Sequence, residues 1–142
     1  MADITITYSE LLSRCEMLSS FEAENKVDAN GESRYLEIHV GEADKALLTE
    51  YIKQAIHIIE ERIARRVTSS TSDESTYKWV IGDTRWTGST AFTNHVNEAI
   101  ISYAMAAWLR GKLDDRVAFY ETLFNGSLSL AIRNVFTKNE PS

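Results

Sequence analysis

The chain has 142 residues, 44% of them hydrophobic and 25% charged, with a formal net charge of −6. That length suits one domain burying roughly 70% of its unfolded surface. No apolar run approaches the roughly 20 residues that span a membrane, the first residues lack the basic and apolar regions of a signal peptide, and the single cysteine, Cys15, excludes an internal disulfide. The expected setting is therefore a reducing cytoplasm. The charge is unevenly placed. Residues 1–42 carry nine acids against three bases, while residues 43–142 carry twelve of each. An acidic first third is a poor surface for gripping phosphates, which need Lys and Arg. It suits a solvated face, a basic partner, or a surface past which DNA slides.

Ile4-Thr-Ile-Thr7 reads as a short strand. Thr7-Tyr-Ser-Glu10 has the form of a capping box, opening a helix over residues 8–24 that buries Leu11, Cys15, Leu18 and Phe21. Asp28-Ala-Asn-Gly31 turns the chain. Residues 35–40 alternate strictly, with Leu36, Ile38 and Val40 on one face, as a half-buried strand does. Residues 44–66 then read as a long amphipathic helix. Leu48, Ile52, Ala55, Ile56, Ile59 and Ile63 recur at three- and four-residue steps. Glu42 and Asp44 sit where the helix dipole favours anions, and Arg62, Arg65 and Arg66 where it favours cations.

Residues 69–76, rich in serine and threonine, read as a mobile polar loop. Residues 77–86 read as a hairpin turning at Gly82-Asp83, with Trp79 facing Trp86 across the strands. Tyr77, Trp79 and Trp86 then share one face of a ribbon that is marginal unless covered. Either it folds over this chain's own helices, or it is a subunit-contact element. Ser89 or Thr90 caps a third helix reaching about Lys112, apolar nearly all round at Ala99–Leu109. A fourth, capped by Asp114 or Asp115, buries Val117, Tyr120, Phe124, Leu128, Ala131 and Val135 and extends to about Lys138. The expected fold is mainly α: a single four-helix bundle-like domain over residues 1–142, with a short strand and a β-hairpin.

Signs of chemistry are sparse. His39, His57 and His95 have no second His or Cys at ligand spacing, so no metal is expected. Cys15 lies on an apolar stripe with no neighbouring histidine, the six glycines never cluster into a phosphate loop, and Glu60-Glu61 point apart on their helix. No catalytic residue and no cofactor is assigned, and the chain is not expected to be an enzyme. The one basic cluster, Arg62, Arg65 and Arg66, either complements the helix dipole or contacts an acidic face of a neighbouring subunit.

The segment from Tyr35 to Arg66 joins an apolar "Leu-x-Ile" stretch, an acidic turn, then Asp-x-x-Leu-Leu-x-x-Tyr-Ile-x-x-Ala and Ile-Glu-Glu-x-Ile-x-Arg. It resembles the adaptor-type head–tail connector proteins of tailed bacteriophages. The matching positions are Leu36, Ile38, Asp44, Leu47, Leu48, Tyr51, Ile52, Ala55, Ile59, Glu60 and Arg66, with Ala99–Leu109 similar to the family's second core helix. The first helix is longer, and the Trp79/Trp86 hairpin replaces a plainer loop. The resemblance implies a virion neck protein, assembled in the host bacterial cytoplasm. It implies a homo-oligomeric ring that meets the portal protein and tail-completion or tail proteins. DNA passes through without sequence-specific binding. Tyr77, Trp79, Trp86, Arg62, Arg65 and Arg66 are the expected subunit or portal contacts. The alternative is a small cytoplasmic helical binding or regulatory module without catalytic activity.

Overall fold

The computed structural model describes residues 2–82 and 86–136. Strand β1 (Ala2–Thr7) runs straight into helix α1 (Tyr8–Ala23). A one-turn helix α2 (Tyr35–Ile38) follows, and a 3-10 turn over Glu42–Asp44 leads into α3 (Lys45–Ile63). Strands β2 (Val67–Ser72) and β3 (Thr76–Ile81) precede helices α4 (Ser89–Leu109) and α5 (Asp114–Phe136). The domain is mainly helical with a small three-stranded antiparallel sheet, as the residue pattern led one to expect.

Helix α3 forms where its stripe predicts. Leu48, Ile52, Ala55, Ile56, Ile59 and Ile63 are all fully buried, and each large aliphatic among them contributes about 1.5–3 kcal/mol. Its entry is fixed by Asp44, whose Oδ2 accepts the Gly41 N–H at 2.9 Å. Helices α4 and α5 pack along each other. At their joint Gly111 takes φ +84, a left-handed cap that suits glycine, and its N–H donates to Asp114 Oδ1 at 2.7 Å. Val117, Tyr120, Leu128, Ala131 and Val135 are buried as expected, and Phe124 is half-buried. The end of this helix near Lys138 lies outside the described residues.

Helix α1 is where expected but rotated. Its inner face is Tyr8, Leu11, Cys15, Ser19, Glu22 and Ala23, whereas Phe21 is 70% exposed. Two polar residues hold that face inside because both have partners there. Ser19 Oγ accepts the Val40 N–H at 2.9 Å, and Glu22 meets Arg116. The capping box does not form: Thr7 makes no side-chain cap, and the Tyr8 N–H donates to the Ser75 carbonyl at 3.1 Å instead.

The expected strand over residues 35–40 is a helical turn followed by extended chain. Among the described residues no strand lies beside it, and the Ile38 and His39 N–H groups bond back to the Arg34 and Tyr35 carbonyls. Ile38 and Val40 still point inward, but Leu36 is 89% exposed. The turn is tied to the far end of α4: Trp108 Nε1 donates to the Ile38 carbonyl at 2.6 Å and Arg34 Nη2 to the Lys112 carbonyl at 2.7 Å.

The hairpin sits one strand earlier than expected. Half of residues 69–76, Ser69 to Ser72, belongs to strand β2, and the turn to β3 is made at Asp73, whose Oδ1 accepts the N–H of Ser75 and of Thr76 at 2.7 and 2.8 Å. Those two backbone bonds hold its carboxyl below the usual carboxylate range. Asp83 of the expected turn lies outside the described residues. Gly82 N–H donates to the Arg66 carbonyl at 3.0 Å, beside the first rung of the β2–β3 ladder. The sheet order is β1-β3-β2, both pairs antiparallel. The cross-strand partners of Trp79 are therefore Ile4 and Ser70, not Trp86.

Candidate assembly surface

The aromatic residues expected at a subunit contact are drawn into the molecule. Trp79 is fully buried, its ring centroid 6.4 Å from that of Phe92, and its Nε1 donates to Glu60 Oε1 at 2.8 Å. Tyr77 is half-buried and its hydroxyl donates to the same oxygen at 2.7 Å. Burial and the Glu60 carboxylate together push the Tyr77 hydroxyl above the ordinary tyrosine range. Trp86 is buried edge-on against Phe92 at 5.3 Å, and its Nε1 reaches the Asn134 carbonyl and Oδ1 at 3.2 and 3.1 Å. Trp79 and Trp86 are thus interior residues, and the assignment of these two as exposed contacts is corrected. The cause is simple: α3, α4 and α5 supply both apolar cover and hydrogen-bond acceptors for the indoles.

The three arginines separate. Arg62 and Arg65 are exposed at the end of α3. Arg66 is half-buried with its guanidinium 5.3 Å from the centre of the Phe136 ring. Immediately after them comes β2, an edge strand. Every residue from Thr68 to Ser72 is exposed, although their side chains alternate between the two faces. A shallow groove of about 380 Å³ separates β2 from the last turns of α3, lined by Glu60, Glu61, Ala64, Thr68 and Ser70. Among the described residues, what the surface at this end offers is an uncovered strand edge beside two exposed cations.

Two of the histidines are separately engaged. His39 Nδ1 lies 2.8 Å from Ser20 Oγ with its ring stacked on Tyr35, and His57 Nδ1 lies 3.9 Å from Glu60 Oε2. Among the described residues no three His, Cys, Asp or Glu side chains stand together as metal ligands. No helix among them is long and apolar enough to cross a membrane.

Cys15 is fully buried, and burial pushes its thiol up to about 12. A thiolate is the reactive form, so native protein is expected to leave a thiol reagent unreacted. Labelling should follow the rate of global unfolding in a urea series. Fast labelling without denaturant would place Cys15 at the surface.

Sequence reasoning missed one polar cluster. Glu22 is buried, its carboxylate accepting from Arg116 Nε at 2.9 Å and Nη2 at 3.0 Å and from the Tyr120 hydroxyl at 3.2 Å. The signal was present in the spacing of Tyr8, Leu11, Cys15, Ser19 and Glu22, which steps by three and four along one stripe. Arg116 stacks on Phe119 at 4.1 Å, so the cluster joins α1 to α5 and closes on itself.

Comparison with protein-family models, with curated proteins and with solved structures finds no match to this chain. Fold and site therefore define it at the level of class: a mainly helical domain carrying a three-stranded antiparallel sheet with an exposed edge at β2.

Proposed function

We propose that the chain is a structural protein of the neck of a tailed phage. Copies form a ring that joins the portal and capsid to the tail around the DNA channel, without catalytic activity. The observation that carries this reading is the end of α3, where the uncovered strand β2 stands beside exposed Arg62 and Arg65. That is a surface suited to another protein rather than to a small substrate. The connector-like residues of α3 support it: Leu48, Ile52, Ala55 and Ile59 make the buried spine, and α4 with Ala99–Leu109 is the second core helix. Leu36 and Ile38 carry the family's letters on a helical turn instead of a strand, so α3 bears more of the resemblance than the segment before it. The acidic first third fits a channel that must release its cargo, because it offers DNA few cations.

The test is mass by light scattering, for the protein alone and mixed with a phage portal protein. A ring-sized species in either sample is expected. A monomer indifferent to the portal overturns the connector reading. It would leave the second reading, a helical binding or regulatory module, which the exposed Phe21 and Leu36 favour as apolar contact points.

A further inference from the structure

We propose that strand β2 is the acceptor edge for strand β1 of a second copy, so that copies join head to tail through a continuing sheet. The inference rests on the ring reading above and names its interface.

The sheet ends at β1 on one side and at β2 on the other. Among the described residues no backbone hydrogen bond outside the β3 ladders reaches Ala2–Thr7 or the stretch from Thr68 to Ser72. Each edge therefore presents a row of N–H and C=O groups to water. Edges are ordinarily blunted by lysine, proline or a cover. Val-Thr-Ser-Ser-Thr-Ser has neither residue, carries no charge, and stands clear on both faces, with a register shift only between Val67 and Ser69.

The choice of occupant follows from direction, length and charge. Both edge strands are six residues long and both are antiparallel to β3, so they run the same way. Laying β1 of one copy along β2 of the next makes a parallel pair and leaves the first copy's own β2 free. That heterologous contact repeats and closes into a ring when the rotation per copy allows it, whereas β2 paired with β2 stops at a dimer. In the parallel arrangement the two strand entries meet. With Thr5 level with Thr71, exposed Asp3 is level with Ser69, and exposed Arg65 stands at the same strand entry a few residues ahead, close enough for a screened attraction and not for a direct ion pair. Antiparallel β2–β2 pairing would instead bring Arg65 toward Asp73, whose carboxylate is already taken up by the turn.

The experiment is disulfide trapping with Thr5→Cys and Thr71→Cys together. Both positions are exposed and both lie opposite Lys78, on its two sides. Within one chain they stand two strand spacings apart, about 9.6 Å, beyond the reach of about 7 Å for a disulfide. Any bond is therefore between copies. The oxidised double variant is expected to give a ladder of covalent multimers and each single variant no cross-link, because Thr5 of one copy meets Thr71 of the next and not a second Thr5. Asp3→Arg is expected to weaken self-association roughly three- to tenfold, and Arg65→Asp in the same chain to restore it, with the circular dichroism of the monomer unchanged. A ladder that never reaches ring mass keeps the strand pairing and sinks the ring. Assembly without cross-links or charge dependence overturns the pairing and leaves the ring. Dimers from Thr71→Cys alone, with no ladder from the double variant, show β2 pairing with itself and overturn the proposal. No association under any condition overturns both.

Discussion

Trp79→Ala is expected to lower the free energy of unfolding by about 3–5 kcal/mol, the usual range for truncating a buried large aromatic. The side chain is fully buried on the central strand β3, paired with Ile4 in β1 and Ser70 in β2. Its ring lies against Phe92 and Tyr77, so truncation opens a cavity where sheet and helices meet. The indole also supplies one of two hydrogen bonds to Glu60 Oε1. Trp79→Phe keeps most of the volume and drops only the N–H. Its expected loss is smaller, about 1–2 kcal/mol, because Tyr77 still serves the carboxylate. Urea titration followed by circular dichroism measures both, since Trp86 and Trp108 would complicate fluorescence. A loss below about 1 kcal/mol for Trp79→Ala would put the indole at the surface and restore it as a contact residue.

The contrast between α3 and the sheet explains what the residues alone reveal. Helix α3 was legible because everything that makes it is local: the stripe from Leu48 to Ile63, the acids at its entry and the arginines at its exit. Helix α1 was legible as a helix but not as a face. Ser19 and Glu22 turn inward only because Val40 and Arg116, distant in sequence, donate hydrogen bonds to them. Residues 35–40 imitate a strand, since one helical turn followed by extended chain also sends Ile38 and Val40 inward. Strand β2 was illegible for the opposite reason. With both faces in water it has no alternation, and only pairing with β3 defines it. Trp79 and Trp86 read as one ribbon face to be covered either by this chain's helices or by a neighbouring subunit, and the cover comes from this chain. What brings them near is Phe92, not a shared hairpin. Arg62 and Arg65 could be read from the helix end, while the position of Arg66 depends on Phe136, seventy residues further along.

Arg116→Ala is expected to lower stability by about 2–3 kcal/mol, somewhat under the usual figure for breaking a buried pair. The reduction follows from geometry: the Glu22 side chain is 5% exposed, but that of Arg116 is 33% exposed and partly solvated. What the variant leaves behind is a buried carboxylate with only the Tyr120 hydroxyl to serve it. Replacing both partners by apolar residues, Glu22→Leu with Arg116→Met, removes the stranded charge as well. The double variant is therefore expected to lose well under the sum of the two single losses. The same cluster gives the protein an alkaline limb. Burial first and the Glu22 carboxylate second push the Tyr120 hydroxyl up to about 12, from 10.0 in an unfolded chain. The folded state therefore holds that proton more tightly. Its contribution is complete below pH 10 and is lost as the pH rises toward 12. Tyr120→Phe should shrink this limb without abolishing it, because the Cys15 thiol, raised from 9.0 to about 12, loses its own contribution over a range that begins lower. Urea midpoints measured from pH 8 to 11 decide the matter. An unchanged slope in Tyr120→Phe would mean that the hydroxyl reaches water and that Glu22 is held by Arg116 alone.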